Sequence, residues 1–200
     1  MSDALKLGLA GVGTVGGGLL QLLAAHGEQL GARAGRPIQV VAVSTLEERR
    51  NKAVDISAFR RVQDPVALAT DPGIDVFIEL MGGEGGVAKD AVEAALRAGK
   101  HVVSANKQLL SQHGEELWAC ARENDVQLRF EAAVAGVVPV IRVLQESLAA
   151  AHVERLHGIV NGTTNFILSA MDAGRSYVDA LAEAQRLGYA EAGVPHVVPS

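Results

Sequence analysis

Leu5-Lys-Leu-Gly-Leu-Ala10 runs straight into Gly11-Val-Gly13-Thr-Val-Gly16, and Leu19, Leu20, Leu22 and Leu23 follow at helical spacing. The stretch reads as a strand, a tight turn and a helix. The three glycines divide the physical work: a φ that side chains disfavour, close backbone approach to a pyrophosphate, and tight contact between helix and strand. N–H groups exposed at the helix N-terminus then receive the diphosphate. An ordinary glycine-rich connection has the same composition. The motif gains its weight from its place between a β pattern and an α pattern, ten residues into the chain.

Outward from this unit the alternation continues. After a loop over Gly31 to Pro37 comes the apolar run Ile38 to Ser44, which suits a strand covered on both faces of a parallel sheet. Asp64-Pro65 begins a short helix through Ala69, Asp71-Pro-Gly73 is a turn, and Asp75 to Leu80 is a third strand broken by Gly82-Gly83. Val87 to Ala98 is an alanine-rich helix stopped by Gly99, followed by a strand His101 to Ala105, a helix Leu109 to Glu123 and a strand Val126 to Ala132. Strands alternating with helices through short connections define an α/β fold, a doubly wound (Rossmann) parallel sheet with right-handed crossovers.

The pattern then changes. Val138 to Leu148 reads as a helix and Val153 to Val160 alternates like a one-sided strand. Two helices follow. The last, Tyr177 to Leu187, is marked by Ser176 as N-cap, Asp179 three residues on and Gly188 as its stop. These features predict a dinucleotide-binding domain over 1–133, the beginning of a second, mixed α+β domain over 134–192, and a tail over 193–200 with no assignable element.

Composition bounds the partners. Two hundred residues, 48% of them apolar, suffice for a real core. A net charge of −5 argues against nucleic acid or an anionic membrane surface, both of which select clustered basic residues. The longest apolar run, Ala132 to Ile141, is interrupted by Pro139 and is too short to span a bilayer. Asp3 and Lys6 leave no long apolar segment at the start, so no secretory signal is expected and the cytoplasm is the expected location. Cys120 is the sole cysteine, which excludes an intrachain disulfide, and Leu117-Trp-Ala-Cys-Ala reads as the buried face of a helix.

In this architecture ligands lie at the carboxyl edge of the sheet, so residues just after strands carry most weight. Ser44 to Glu48 follows the second strand, where Glu47 or Glu48 is either an acceptor for the adenosine ribose or part of a solvated turn. Met81-Gly82-Gly83 lets the backbone pass close to a cofactor, or is simply a turn. Ser104-Ala-Asn106-Lys107 either places an ammonium facing the cleft, able to neutralise charge on a reacting oxygen, or ends in a surface lysine before a helix. Gly158-Ile-Val-Asn-Gly162-Thr163-Thr164-Asn165 offers backbone N–H and hydroxyl groups to a small polar substrate, or a helix cap at Thr163 or Thr164. The six histidines fit no zinc spacing, and no Gly-x-Ser-x-Gly elbow is present.

Six segments, taken in order, make the chain resemble the homoserine dehydrogenase family of the aspartate pathway. They are Gly11 to Gly16, Glu79-Leu-Met-Gly-Gly83, Gly99-Lys-His-Val-Val-Ser-Ala-Asn-Lys107, Phe130-Glu-Ala-Ala-Val-Ala-Gly136, Asn161-Gly-Thr-Thr-Asn165 and Ala184-Gln-Arg-Leu-Gly-Tyr-Ala-Glu191. The resemblance implies reversible reduction of aspartate 4-semialdehyde to homoserine with NADP or NAD, in threonine, methionine and isoleucine biosynthesis. It implies that Gly11, Val12, Gly13, Thr14, Val15, Gly16, Ser44, Met81 and Gly82 meet the cofactor, and that the catalytic Lys107 sits between nicotinamide and substrate. Gly162, Thr163, Tyr189 and Glu191 would hold the substrate, Glu191 facing its ammonium or hydroxyl. A monovalent cation, usually sodium, is implied on a loop matching Glu131, Val134, Gly136 and Val138, where a carboxylate and backbone carbonyls make a hard-cation shell. The small-molecule substrate is the expected partner, with no nucleic acid or membrane, in a homodimer.

The departures from the family pattern are specific. Leu46 stands where many relatives have an arginine, and Gly136-Val-Val-Pro139 replaces a common Gly-Gly-Ile-Pro. After Glu191 the family continues with aspartates and an Asp-Ala-Ala-x-Lys helix that supply acid and base, whereas Ala192 to Ser200 offers none. The expectation is a chain cut short in its catalytic domain, with hydride transfer assisted by Lys107 and proton supply missing. Two further readings stay open: a nucleotide-binding module without turnover, and another oxidoreductase of this fold acting on a different small aldehyde or hydroxy acid.

Overall fold

The computed structural model describes residues 3–46, 51–136, 138–159, 161–187 and 189. The chain divides into two compact units, Met1–Ile141 and Arg142–Ser200.

The first unit alternates as its sequence demands: β1 (Leu5–Ala10), α1 (Thr14–Ala34), β2 (Ile38–Ser44), β3 (Arg60–Arg61), α2 (Pro65–Ala69), β4 (Val76–Glu79), α3 (Val87–Arg97), β5 (His101–Ser104), α4 (Lys107–Glu123) and β6 (Leu128–Arg129). The strands form one sheet in the order β3-β2-β1-β4-β5-β6. All five strand pairs are parallel. Leu9 is in register with Val43 on one side and Ile78 on the other. The chain thus grows outward from β1 in one direction and returns to add β4 on the opposite side. That reversal opens a crevice at the carboxyl ends of β1 and β4.

The period of two along each strand sends side chains into two cores. Val76 and Ile78 of β4 join Leu7, Leu9, Val12, Leu20 and Val43 on one face, while Phe77 joins Leu68, Leu96, Leu109 and Leu117 on the other. α3 supplies the second face through Ala88, Ala91, Val92, Ala95 and Leu96, spaced one helical turn apart. Gly99, in the left-handed conformation at φ 73°, ends that helix as the sequence implies.

Several boundaries differ from the sequence reading. α1 runs through Gly31 to Ala34, so the loop shrinks to Gly35, Arg36 and Pro37. The reason is packing: a Cβ on Gly31 would lie 3.3 Å from the Arg36 carbonyl oxygen, so glycine there serves close approach, and Gly35 at φ 74° is the true stop. α4 begins at Lys107 rather than Leu109. The fifth expected strand is reduced to Leu128-Arg129, after which Glu131–Ala133 tightens into a 3-10 turn. β3, a two-residue edge strand, has no signal of its own in the sequence. Of the segment around Cys120, Leu117, Cys120 and Ala121 are buried, but Trp118 is exposed and sets its edge against Phe130 at 6.1 Å between centroids.

Beyond Pro139 the chain forms α5 (Val140–Arg142), continuing as a π-helix over Val143–Ser147. The second unit then carries α6 (Gly162–Asp172) and α7 (Tyr177–Arg186), packed through Ile167, Ala180 and Ala184. α7 starts as its sequence predicts, with the Ser176 hydroxyl oxygen accepting the Asp179 N–H. The strand expected over Val153 to Val160 does not form within Val153 to Ile159, where Leu156 and Ile159 are exposed. An extended segment becomes a strand only beside a hydrogen-bonding neighbour, and none faces it among the described residues. Val160, Gly188 and the 193–200 tail lie outside the described residues. Among those described, no helix is long and apolar enough to cross a membrane.

Candidate functional site

A cleft of about 460 Å³ opens at the carboxyl ends of β1, β2 and β4. Its floor is the glycine turn. Gly11 has φ +96°, and a Cβ there would stand 2.5 Å from the Leu80 carbonyl oxygen, so both conformation and space demand glycine. A Cβ on Gly16 would collide with the Gly11 carbonyl oxygen. Gly13, with an ordinary φ of −79°, precedes α1 without a side-chain cap, and no acidic residue lies in the first turn. The N-terminal N–H groups of a 21-residue helix are therefore left for an anion. This glycine cradle and uncapped helix fit a dinucleotide diphosphate.

The cleft brings together Gly11, Val12, Gly13, Ser44, Met81 and Gly82 of the expected cofactor residues. Thr14, Val15, Gly16 and Lys107 are not in its lining: Thr14 and Val15 are exposed on the first turn of α1, and Gly16 is buried beneath it. Ser44 is buried, and its hydroxyl donates to the Gln63 carbonyl at 3.3 Å, tying β2 to the segment after β3. Gln63 and Pro65 line the cleft as well and were missed by sequence reasoning. They follow a strand too short to leave a periodicity. Leu46 is an exposed part of the lining, while Glu47 and Glu48 lie outside the described residues.

Beneath the Met81-Gly82 turn sits a group that the sequence reading passed over. Glu79, the last residue of β4, is fully buried. One carboxylate oxygen accepts the N–H groups of Met81 (2.8 Å) and Gly82 (3.3 Å), and the other accepts the Ser104 hydroxyl at 2.7 Å. Ser104 in turn accepts the Asn106 N–H at 3.0 Å. A charged residue closing the apolar run Val76-Phe-Ile-Glu79 was the available signal, because carboxylates are rarely buried unless hydrogen-bonded.

Asn106 caps α4, its Oδ1 accepting the Leu109 N–H at 3.1 Å, and Lys107 is the first helical residue, exposed to solvent. An ammonium in the first turn of a helix opposes the macrodipole by about 0.3–1 kcal/mol. Asn106 is buried, yet its Nδ2 has no hydrogen-bond partner among the described residues. Such an unmet donor costs about 1–3 kcal/mol. Both features are unfavourable for an isolated helix start.

In the second unit the cap of α6 is Asn161, whose side chain accepts the Thr164 N–H at 2.9 Å, and not Thr163 or Thr164 as the competing reading had it. The Thr163 hydroxyl instead donates to the Tyr189 carbonyl, and the Tyr189 ring meets Phe166 edge-on at 5.3 Å. Gly162, Thr163 and Tyr189 are thereby gathered at one helix end, while Glu191 lies outside the described residues. On the loop expected to hold a cation, Ala135 (φ 58°) and the following Gly136 (φ 56°) are both left-handed, and Glu131 falls in the 3-10 turn rather than at a strand end. No group of three acidic, histidine or cysteine side chains converges as a metal site among the described residues.

A parallel sheet with a glycine cradle at its topological reversal, under the uncapped end of the first helix, defines a dinucleotide-binding α/β protein. Residues 11–131 match the family model described as homoserine dehydrogenase, NAD binding domain, and residues 139–195 match that of homoserine dehydrogenase. The chain belongs to the homoserine dehydrogenase family. It is 48% identical over 188 residues to homoserine dehydrogenase of Pseudomonas aeruginosa and 46% identical over 188 residues to that of Neisseria gonorrhoeae, in each case covering 94% of this chain and 43% of the relative. The crystal structure of a homoserine dehydrogenase from Thiobacillus denitrificans superposes with a TM-score of 0.83 at 45% identity, over 95% of this chain and 44% of that one. The chain thus spans under half the length of these relatives.

Proposed function

We propose that this chain carries the cofactor-binding half and part of the substrate site of an NAD(P)-dependent homoserine dehydrogenase, which interconverts L-homoserine and L-aspartate 4-semialdehyde. The observation that carries the proposal is the uncapped N-terminus of α1 above the Gly11 and Gly16 cradle. The nicotinamide cofactor, when bound, supplies the hydride chemistry. The chain's residues orient and polarise. First-turn N–H groups of α1, at Thr14 and Val15, receive the diphosphate. Ser44 and Gln63 border the part of the cleft after β2 where the adenosine ribose lies in this fold. Lys107 places its ammonium against the reacting oxygen and stabilises the alkoxide as it forms. Gly162, Thr163, Tyr189 and Glu191 hold the substrate, and Glu191 selects for an amino-bearing compound over its amino-free analogue. Family resemblance further supports a monovalent cation at Glu131, Val134, Gly136 and Val138, a homodimer, and a cytoplasmic setting.

The test is a spectrophotometric assay of NAD- and NADP-linked homoserine oxidation by the purified chain, with cofactor titrated by fluorescence on the same sample. Lys107→Ala is expected to lower turnover about a hundredfold or more, the typical loss of a group that stabilises developing charge. A second reading, a nucleotide-binding module without turnover, is favoured by the cleft itself, whose lining is drawn from Gly11 to Ala88 and does not include Lys107. It predicts cofactor binding and no oxidation of homoserine. Absence of binding would sink both.

A further inference from the structure

We propose that Glu79 is a positioning residue that sets two parts of the site at once, the Met81-Gly82 turn of the cofactor cleft and the Asn106-Lys107 start of α4. The inference rests on the cofactor reading above. β4 and β5 are neighbours in register, Glu79 opposite Ser104, so both strands deliver their last side chains to one buried point at the carboxyl edge. There the carboxylate's two oxygens face two different loops. Oε1 accepts the Met81 and Gly82 N–H groups, fixing a turn that contributes to the cleft lining and in which Gly82 is left-handed at φ 79°. Oε2 accepts the Ser104 hydroxyl, which leaves the Ser104 oxygen to accept the Asn106 N–H. Asn106 then caps the helix whose first residue is Lys107, and it also carries the buried amide donor that lacks a partner among the described residues. Two side-chain oxygens facing two loops can accept all of these donors, whereas an amide offers a single oxygen. A role in stability alone would need no such division between the ligand-lining turn and the lysine-bearing helix start.

The division makes glutamine a partial replacement. Its carbonyl can still accept from Met81 and Gly82, but its amide must donate to Ser104, leaving the hydroxyl proton without its acceptor. In titrations of the whole chain with NADH and NADPH, followed by nicotinamide fluorescence, Glu79→Ala is expected to weaken binding tenfold or more, and Glu79→Gln less than threefold. Ser104→Ala, which breaks only the second arm, should leave cofactor affinity within threefold. In a chain that turns over homoserine, Glu79→Gln and Ser104→Ala should both lower kcat more than they raise the cofactor KM. Amide hydrogen exchange gives a readout that needs no ligand: exchange at Met81 and Gly82 should accelerate in Glu79→Ala, ahead of the rest of the sheet. Should Glu79→Ala not fold, Glu79→Gln and Ser104→Ala carry the comparison.

Binding of the unaltered chain with equal affinity in Glu79→Ala, or exchange accelerated uniformly through the sheet, would overturn the proposal and leave the cofactor reading standing. Equal losses in Glu79→Ala and Glu79→Gln would overturn it too, by making charge rather than hydrogen-bond geometry the cause. No binding by the unaltered chain would overturn the cofactor reading, and local exchange at Met81 and Gly82 would then show the carboxylate's grip on the turn by itself.

Discussion

Replacing Gly16 and Gly18 by alanine, one at a time, applies the same chemical change two residues apart on the same helix and should give opposite results. A Cβ at Gly16 runs into the Gly11 carbonyl oxygen, which is backbone and cannot swing aside as a side-chain tip could. Overpacking of that kind costs about 1–3 kcal/mol. A Cβ at Gly18 meets nothing within 4 Å, and there alanine gains about 0.5–1 kcal/mol by removing glycine's excess freedom in the unfolded chain. The two variants should therefore differ by about 1.5–4 kcal/mol in stability. The relief available to Gly16→Ala is a shift of the Gly11 turn, which forms the floor of the cleft, so its affinity for reduced cofactor should fall about tenfold or more, equivalent to about 1.4 kcal/mol. Urea unfolding followed by circular dichroism measures the first quantity and nicotinamide fluorescence the second. Equal stability of the two variants, or undiminished cofactor affinity in Gly16→Ala, would refute the argument that contact between the helix and the Gly11 turn, rather than chain flexibility, requires glycine at that point.

Two further outcomes follow from local electrostatics and burial. The Asp71 carboxylate accepts the Gly73 N–H at 2.6 Å and pairs with Arg60, and these hold its pKa below the usual value. Its contribution is present above the unfolded-state pKa and is lost as pH falls through the lower folded value. Asp71→Asn should accordingly lower stability by about 1 kcal/mol at neutral pH, with the gap from the unaltered chain closing below about pH 4 in denaturation curves taken across pH. Cys120, buried on α4, has its thiol pKa pushed up by desolvation. Alkylation at pH 8 should be slow in the native chain and at least about a hundredfold faster in urea, and rapid labelling of the folded protein would contradict its burial.

The order of elements was legible because strands and helices leave different periods, and a buried parallel sheet makes both strong. The strands Leu5 to Ala10 and Ile38 to Ser44 and the helix beginning at Val87 were recognisable from their apolar spacing alone, Gly99 marked the end of that helix, and Ser176 marked the start of α7. Gly11 and Gly16 were legible for a related reason: a turn between strand and helix over a diphosphate has few solutions, and glycine is needed in each. By contrast, the end of α1 was not readable, because Gly31 looks like a helix breaker until Arg36 and Pro37 fold back against it. Ser104 and Asn106 could be placed at the edge of the sheet, but the Ser104 bond to Glu79 connects residues 25 positions apart in sequence and leaves no local trace.

The sequence by itself therefore determined the class of fold, the edge of the sheet at which the cleft opens and the need for glycine at Gly11 and Gly16, since each follows from local periodicity or from the geometry of one turn. The tertiary structure alone decided the polar contacts between residues distant in sequence. It turned Thr163 toward Tyr189, brought Gln63 to the rim of the cleft through the two-residue strand β3, and denied Val153 to Ile159 a strand partner among the described residues. A hydrogen bond is short and directional, so its partner is fixed only when distant parts of the chain have been packed to within about 3 Å of one another.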